Sequence, residues 1–198
     1  FTLKGTIEVT SPTVPHNSTA DKTFVSVPFE HKVMGDAAVA VTAWRKDPSG
    51  IVNAGVLPLK VGTPTQYTVH WKILNYATDV KNVKIKSTLP AGVQFTGTVK
   101  SNAPTAPQVN NRAGLVEWSL SFIPAGRGVV NAPYEGIFQI EALPNVTQKG
   151  RKMELLGDTQ LEATDMFTGS IIQRRFDGID SYIPNDPTFK AGDERVTE

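Results

Sequence analysis

Cysteine is absent from this chain of 198 residues. Its absence excludes a disulfide framework and any metal site built from thiolates. Long apolar runs are absent too, because the longest, residues 37–41, is far shorter than the roughly 20 residues of a transmembrane helix. No secretory signal peptide is visible, and the first residue is Phe1 rather than Met. We therefore expect a processed chain or part of a longer one.

An excess of charge of either sign is also lacking. Lys and Arg number 20, Asp and Glu number 19, and the formal net charge is +1. Such a balance produces no long-range field that would attract nucleic acid or an anionic membrane. We expect no nucleic-acid partner and no membrane insertion of this segment.

Signatures of catalysis are few. The three histidines, His16, His31 and His70, are isolated in sequence, and we interpret them as surface residues. Neither a Gly-x-Ser-x-Gly elbow nor a His-Glu-x-x-His motif occurs, and residues 126–128 (Gly-Arg-Gly) are interpreted as a tight turn. The sequence therefore predicts no enzyme and no catalytic, cofactor-binding or metal-ligating residues. A hydrolase with a dispersed site stays open, because triads are recognised in space.

Acidic residues gather late in the chain: Asp165, Asp177, Asp180, Asp186, Asp193 and Glu194. Calcium is the cation that such oxygen ligands would suit, and it needs roughly six to eight oxygens at close range. The spacing here matches no calcium loop. We interpret these acids as part of solvated turns and a tail and predict no cofactor, with calcium as the alternative.

The strongest positive pattern is a period-two alternation before a polar turn at residues 75–82. One face of this strand carries Tyr67, Val69, Trp71 and Ile73. The other face carries Thr68, His70 and Lys72. Such alternation predicts a half-buried strand with a core face and a solvent face. A second alternating strand follows the turn, and Pro90 and Gly92 end it.

Further strands are predicted at residues 1–10, 24–29, 37–44, 115–122 and 134–143, with a hairpin over residues 155–175. Pro28 suggests an edge strand. Trp118 alternates in phase with Val116 and Leu120, so we expect it to share a core with Trp71. No segment shows an apolar stripe of period 3.6, and the fold class is therefore all-β.

The central residues resemble a known family. The matching pieces are Gly62, residues 67–71 (Tyr-Thr-Val-His-Trp), Asn75, residues 82–83 (Asn-Val) and residues 89–95 (Leu-Pro-Ala-Gly-Val-Gln-Phe). Later pieces are residues 116–118, 163–165 and 168–169. The pattern is similar to the conserved-repeat immunoglobulin-like domains of large bacterial cell-surface proteins, over residues 56–183. The resemblance implies an immunoglobulin-like β-sandwich, an exterior location and no catalytic residues.

Three segments follow from this match. Residues 1–55 are expected to form an additional N-terminal β segment or a partial second sandwich. Residues 56–183 are expected to form the immunoglobulin-like sandwich, and residues 184–198 an extended tail or linker.

The resemblance implies a non-enzymatic spacer, scaffold or lattice and filament element of the bacterial cell envelope, with neighbouring copies or adjacent modules as partners. The alternative is an adhesin or carbohydrate-binding module for cell-surface glycans. A glycan would then bind at Trp44, the best candidate for an exposed aromatic, or at the polar loop of residues 101–112. For Trp44 a buried or junction position is nonetheless favoured.

Overall fold

The computed structural model describes residues 1–10 and 23–198, so residues 11–22, which include His16, lie outside the described part. The described residues form strands and one short 3-10 turn, Val146–Gln148. The strands are β1 (Thr2–Thr10), β2 (Thr23–Lys32), β3 (Ala37–Trp44), β4 (Thr65–Asn75), β5 (Val80–Thr88), β6 (Val93–Ser101), β7 (Gln108–Asn110), β8 (Leu115–Ile123), β9 (Tyr134–Ala142), β10 (Glu154–Leu156), β11 (Thr159–Asp165), β12 (Ile171–Phe176) and β13 (Ile179–Asp180). Within this part of the chain, no helix has the length and apolar character needed to cross a bilayer.

Two antiparallel sheets enclose the core. One has five strands in the order β12-β11-β5-β8-β7, and the other has four in the order β3-β4-β9-β6. Trp71 of β4 and Trp118 of β8 point between the sheets, and both are fully buried. The ring of Phe138 meets Trp71 edge-on, with centroids 5.1 Å apart. The predicted all-β sandwich and the shared tryptophan core are confirmed.

The polar turn at residues 75–82 carries the chain from one sheet to the other. Because β4 and β5 lie in different sheets, this connection is an arch and not a hairpin. The buried Asn75 holds it, since its Nδ2 donates hydrogen bonds to the carbonyls of Thr78 (2.8 Å), Ile123 (3.2 Å) and Pro124 (3.0 Å). The amide has two hydrogens for these three acceptors, so one hydrogen is shared between two carbonyls.

The solvent face predicted for β4 is wrong for Thr68 and His70, whereas the side chain of Lys72 is 44% exposed. Thr68 and His70 are 0% and 2% exposed, because residues 45–55 fold over this side of the sheet. Asn53 of that segment donates from Nδ2 to the Thr68 hydroxyl at 2.9 Å and accepts from Gln139 of β9 at 2.8 Å. The covering loop supplies amide partners, so the polar side chains remain hydrogen-bonded once they are buried.

The last fifteen residues differ from the extended tail that the sequence predicts. Asp186 and Val196 are buried. Asp186 accepts the backbone N–H of Lys46 at 2.6 Å, and the Thr197 N–H donates to the Leu59 carbonyl at 2.7 Å. Residues 184–198 therefore belong to the sandwich. The expected boundary at residue 183 does not coincide with a break in the packing.

Residues 1–55 likewise divide differently from the single segment expected. β3 is a member of the four-stranded sheet and contributes Val39 and Ala43 to the core. β1 and β2 pair only with each other, and none of their described side chains belongs to the core cluster. We call this two-stranded antiparallel unit, residues 1–10 and 23–33, the hairpin arm. It is attached to the sandwich but adds nothing to its core.

Candidate functional site

The hairpin arm has one apolar face, and that face is uncovered. In the β1–β2 register, odd residues of β1 lie opposite odd residues of β2, so the apolar residues of both strands share one side. Its large hydrophobic residues are between 48% and 74% exposed: Phe1, Leu3, Ile7, Val9, Val25, Val27 and Val33. Solvated apolar side chains packed this closely mark an interaction surface.

The opposite face of the hairpin arm is polar. Lys4 pairs with Glu30 across the strands at 3.3 Å, and both side chains are well exposed. Thr6 lies opposite Pro28, and Glu8 lies opposite Ser26. The arm is thus amphipathic, although neither of its faces packs on the core of the sandwich.

The two outer edges of the hairpin arm are not equivalent. The Val33 N–H donates to the Phe1 carbonyl at 2.8 Å, which makes this a hydrogen-bonded pair and fixes the alternation along the ladder. Thr6 and Pro28 then form a non-hydrogen-bonded pair, and their backbone nitrogens point outward. Pro28 carries no N–H, so it interrupts the outer edge of β2. The outer edge of β1 keeps all its donors.

A buried carboxylate fixes the base of the hairpin arm. Asp165, at the end of β11, is 0% exposed and accepts the Gly35 N–H at 2.9 Å through Oδ2. The Thr78 hydroxyl donates to the same oxygen, and the Thr168 N–H donates to Oδ1 at 2.7 Å. Lys32 adds a hydrogen bond from Nζ to the Phe167 carbonyl at 3.1 Å. These contacts tie Lys32 and the segment directly after the arm to the β11–β12 turn of the sandwich.

The charge of Asp165 is stabilised by these donors. Burial alone raises the pKa of this carboxyl, but the hydrogen bonds from Thr78, Thr168 and Gly35 outweigh it and lower the pKa to about 2. The sequence alone predicts a solvated turn at Asp165. The turn is present, but the side chain is a buried junction between three loops.

The two described histidines, His31 and His70, lie in different parts of the fold. His31 is exposed on the apolar face of the hairpin arm, 5.5 Å from the ring of Phe29. His70 is buried, contrary to the surface position expected. Its Nε2 lies 2.6 Å from Oδ1 of Asp47, and its Nδ1 lies 2.7 Å from Oε1 of Glu135. His70 thus joins the covering loop to β9.

This cluster of His70, Asp47 and Glu135 is arranged for structure and not for nucleophilic catalysis. Both ring nitrogens face carboxylates, so neither is free to take a proton from a nucleophile. The hydroxyl of Ser49 bonds to Asp47 and not to the histidine. Burial raises the pKa of Asp47, but hydrogen bonds from Ser49, Ile51 and His70 bring it below its ordinary value.

The late acidic residues are dispersed. Asp165 and Asp186 are buried on different elements, whereas Asp177 is exposed. Asp186 accepts backbone N–H groups from residues 45 and 46. Burial raises the pKa of Asp186, but the hydrogen bond from the Thr188 hydroxyl, together with the backbone bonds from residues 45, 46 and 188, lowers it below its ordinary value. In residues 1–10 and 23–198, no three acidic or histidine side chains are grouped as a metal ion would require.

The places named for a glycan site offer no aromatic platform. Trp44 is half-buried, its ring meets His70 edge-on at 6.4 Å, and its Nε1 donates to the Thr42 hydroxyl at 3.1 Å. The loop at residues 101–112 contains β7 and binds Trp118, whose Nε1 donates to the Thr105 carbonyl at 3.1 Å. Both features serve the sandwich itself.

The hairpin arm is only half visible in the sequence. The alternation of residues 1–10 predicts a strand, and Pro28 predicts an edge. What the sequence does not show is the register between the two strands, which places Ile7 and Val27 side by side on one face. The buried positions of His70 and Asp165 leave no local signal, because their partners are distant in sequence.

Comparison with known proteins gives a weak structural likeness. No family model and no curated protein matches the chain. The major pilin subunit BcpA of Bacillus cereus is 12% identical with a TM-score of 0.40, over 90% of this chain and 55% of that one. The full-length major pilin SpaD of Corynebacterium diphtheriae is 11% identical with a TM-score of 0.43, over 84% of this chain and 39% of that one.

A fragment of the major pilin GBS80 of Streptococcus agalactiae is 10% identical with a TM-score of 0.42, over 72% of this chain and 55% of that one. The chain thus spans about half, or less, of the length of these pilins. All three scores are below 0.5, and the likeness carries no functional conclusion.

Proposed function

We propose that this chain is a non-enzymatic structural module of a bacterial cell-surface protein, which assembles with neighbouring copies through its hairpin arm. One observation carries the proposal, namely the uncovered apolar face of an arm that adds nothing to the core of its own sandwich.

The energetics of the arm favour a partner. An isolated two-stranded hairpin is at best marginally stable in water. Leu3, Ile7 and Val27 are 49–59% exposed, so covering one of them contributes about half of the roughly 1.5–3 kcal/mol that full burial of such a side chain provides. A contact that covers several of them therefore stabilises the arm and the assembly together.

The location outside the cell rests on the resemblance of residues 62–95 to cell-surface immunoglobulin-like domains. The absence of cysteine and the balanced charge are compatible with that setting. The buried cluster at His70 and the dispersed acids give no support to an enzyme. Half-buried Trp44 gives none to a glycan platform.

Sedimentation velocity over a range of protein concentrations tests the proposal. We expect the wild-type chain to self-associate and the Ile7→Lys variant to remain monomeric, because a charge then stands in the apolar face. Ser26→Lys is the matched control, since it places the same charge on the polar face of the same arm. It should associate as the wild type does.

Two results would overturn the proposal. One is a wild-type chain that stays monomeric at every concentration tested. The other is an Ile7→Lys variant that associates as strongly as the wild type. Thermal melting of both variants checks that the sandwich is unchanged, which we expect because neither residue contacts its core.

A further inference from the structure

We propose that the contact between copies is an antiparallel pairing of β1 with β1 of a second copy, about a two-fold axis at Thr6. The inference rests on the proposed function and specifies which surface of the hairpin arm forms the contact. A four-stranded sheet, β2-β1-β1-β2, results. The partner that pairs with the open edge of β1 is therefore a second copy of this chain.

The first argument is the asymmetry of the edges. Thr2, Lys4, Thr6 and Glu8 direct their backbone N–H and C=O groups away from β2, as the alternation from the Phe1–Val33 hydrogen bond requires. An open edge of this kind pairs readily with another strand. Pro28 closes the outer edge of β2 near its middle, so β1 is the edge of the arm that can accept a strand.

The second argument is the register. Thr6 is the central residue of β1, so a two-fold axis there pairs the whole strand, Thr2–Thr10, with its copy. The same register places Lys4 opposite the partner's Glu8, and by symmetry it does so twice. Opposite charges at paired positions stabilise a sheet. An axis at Lys4 would instead oppose two lysines, and an axis at Glu8 would oppose two glutamates.

The third argument is the fit on the apolar face. In this register Gly5 lies opposite the partner's Ile7, a small residue against a large one. The ring of Phe29 already lies over Gly5, where an added Cβ would come within 2.4 Å of it. Ile7 of the second copy would meet the edge of that ring. The pairing thus buries the flanks of Leu3, Ile7 and Val9 against the second copy, while the outer side of the joined apolar face stays exposed.

The arrangement also keeps the two sandwiches apart. The base of the arm is at Phe1, and antiparallel pairing sets the two bases at opposite ends of the sheet. Each base is five residues from Thr6, which separates them by roughly 33 Å along the strands at 3.3 Å per residue. The sandwiches therefore do not compete for the same space.

A charge exchange tests the register. The Lys4→Glu variant places a second carboxylate opposite Glu8 across the axis, and Glu8→Lys places a second ammonium group opposite Lys4. We expect each variant alone to self-associate at least about tenfold more weakly than the wild type, as seen by sedimentation velocity at low salt. An equimolar mixture of the two restores opposite charges at both paired positions and should associate like the wild type.

A matched pair controls for net charge. Lys84→Glu and Glu162→Lys change the same charges on the outer face of the five-stranded sheet, where the two residues lie opposite each other. Each alone should associate like the wild type, and their mixture should gain nothing.

The outcomes separate the two proposals. If Ile7→Lys abolishes association while Lys4→Glu does not, the arm assembles through its face and the β1 pairing is wrong. If the single variants lose association but the mixture does not recover it, the register is wrong. A wild-type chain that never associates overturns both proposals.

Discussion

His70 occupies a position where a single side chain ties two distant parts of the chain together. It contacts Asp47, whose side chain is 0% exposed, and Glu135 of β9. Replacing one partner of a buried charged group leaves the other without its compensation, which is far more costly than losing an exposed pair. The covering loop over β4 therefore depends on this residue.

We expect His70→Leu to lower the free energy of unfolding by roughly 3 kcal/mol, because Asp47 loses its imidazole partner inside the protein. Lys72→Met is the control, since Lys72 also reaches Glu135 but is 44% exposed. It should change the free energy by no more than about 1 kcal/mol. Urea denaturation at neutral pH measures both. Equal losses in the two variants would contradict this account of the cluster.

Asp165 should make stability depend on pH in the acid range. Its pKa is lowered to about 2 in the folded protein, so its contribution is fully present above its ordinary pKa near 4 and is lost as the pH falls through the folded value. At 1.36 kcal/mol per pKa unit, Asp165→Asn should cost roughly 2 kcal/mol at neutral pH. The gap between variant and wild type should close towards pH 2.

Unfolding free energies from urea denaturation at several pH values measure this gap. Asp177→Asn serves as the control, because Asp177 is exposed and lies away from the junction. Its variant should track the wild type at every pH. If the difference in unfolding free energy between Asp165→Asn and the wild type stays constant from neutral pH to pH 2, the charge of Asp165 does not stabilise the folded protein.

At the scale of the elements, the outer edge of β1 can be closed by one substitution. Thr6→Pro removes an N–H that points away from β2, so the ladder inside the hairpin arm loses no hydrogen bond. We expect self-association to weaken by at least about tenfold, because the central pair of the proposed contact is lost. Thr6→Val keeps the N–H and is the control. Association of Thr6→Pro at wild-type strength would exclude pairing at this edge.

Most of the long strands were predictable from the sequence, but β6 and β7 were not. The environments of the strands were not predictable either. Period-two alternation located the core side of β4 and of β8, and Trp71 and Trp118 are buried as expected. The prediction that Thr68 and His70, on the other side of β4, are exposed was wrong. A strand's alternation does not reveal that a loop from residues 45–55 will cover its polar face. The turn at residues 75–82 was recognised, but turn residues alone do not distinguish an arch from a hairpin.

The same limit applied to the candidate site. The sequence indicated an edge at Pro28 and a strand at residues 1–10, and both belong to the hairpin arm. It could not reveal that the arm stands outside the core, since this depends on which strands fill the two sheets. Asp165 and His70 escaped detection because each contacts partners more than twenty residues away.

For the whole molecule, the sandwich extends to the end of the chain, and removing residues 184–198 should destabilise all of it. Asp186 holds the backbone of residues 45 and 46, and Val196 is buried in the core. Losing these contacts should lower the free energy of unfolding by at least about 3 kcal/mol. Removing Glu198 alone, whose side chain is 85% exposed, is the control and should have little effect. If the truncated chain melts at the wild-type temperature, this segment is a tail after all.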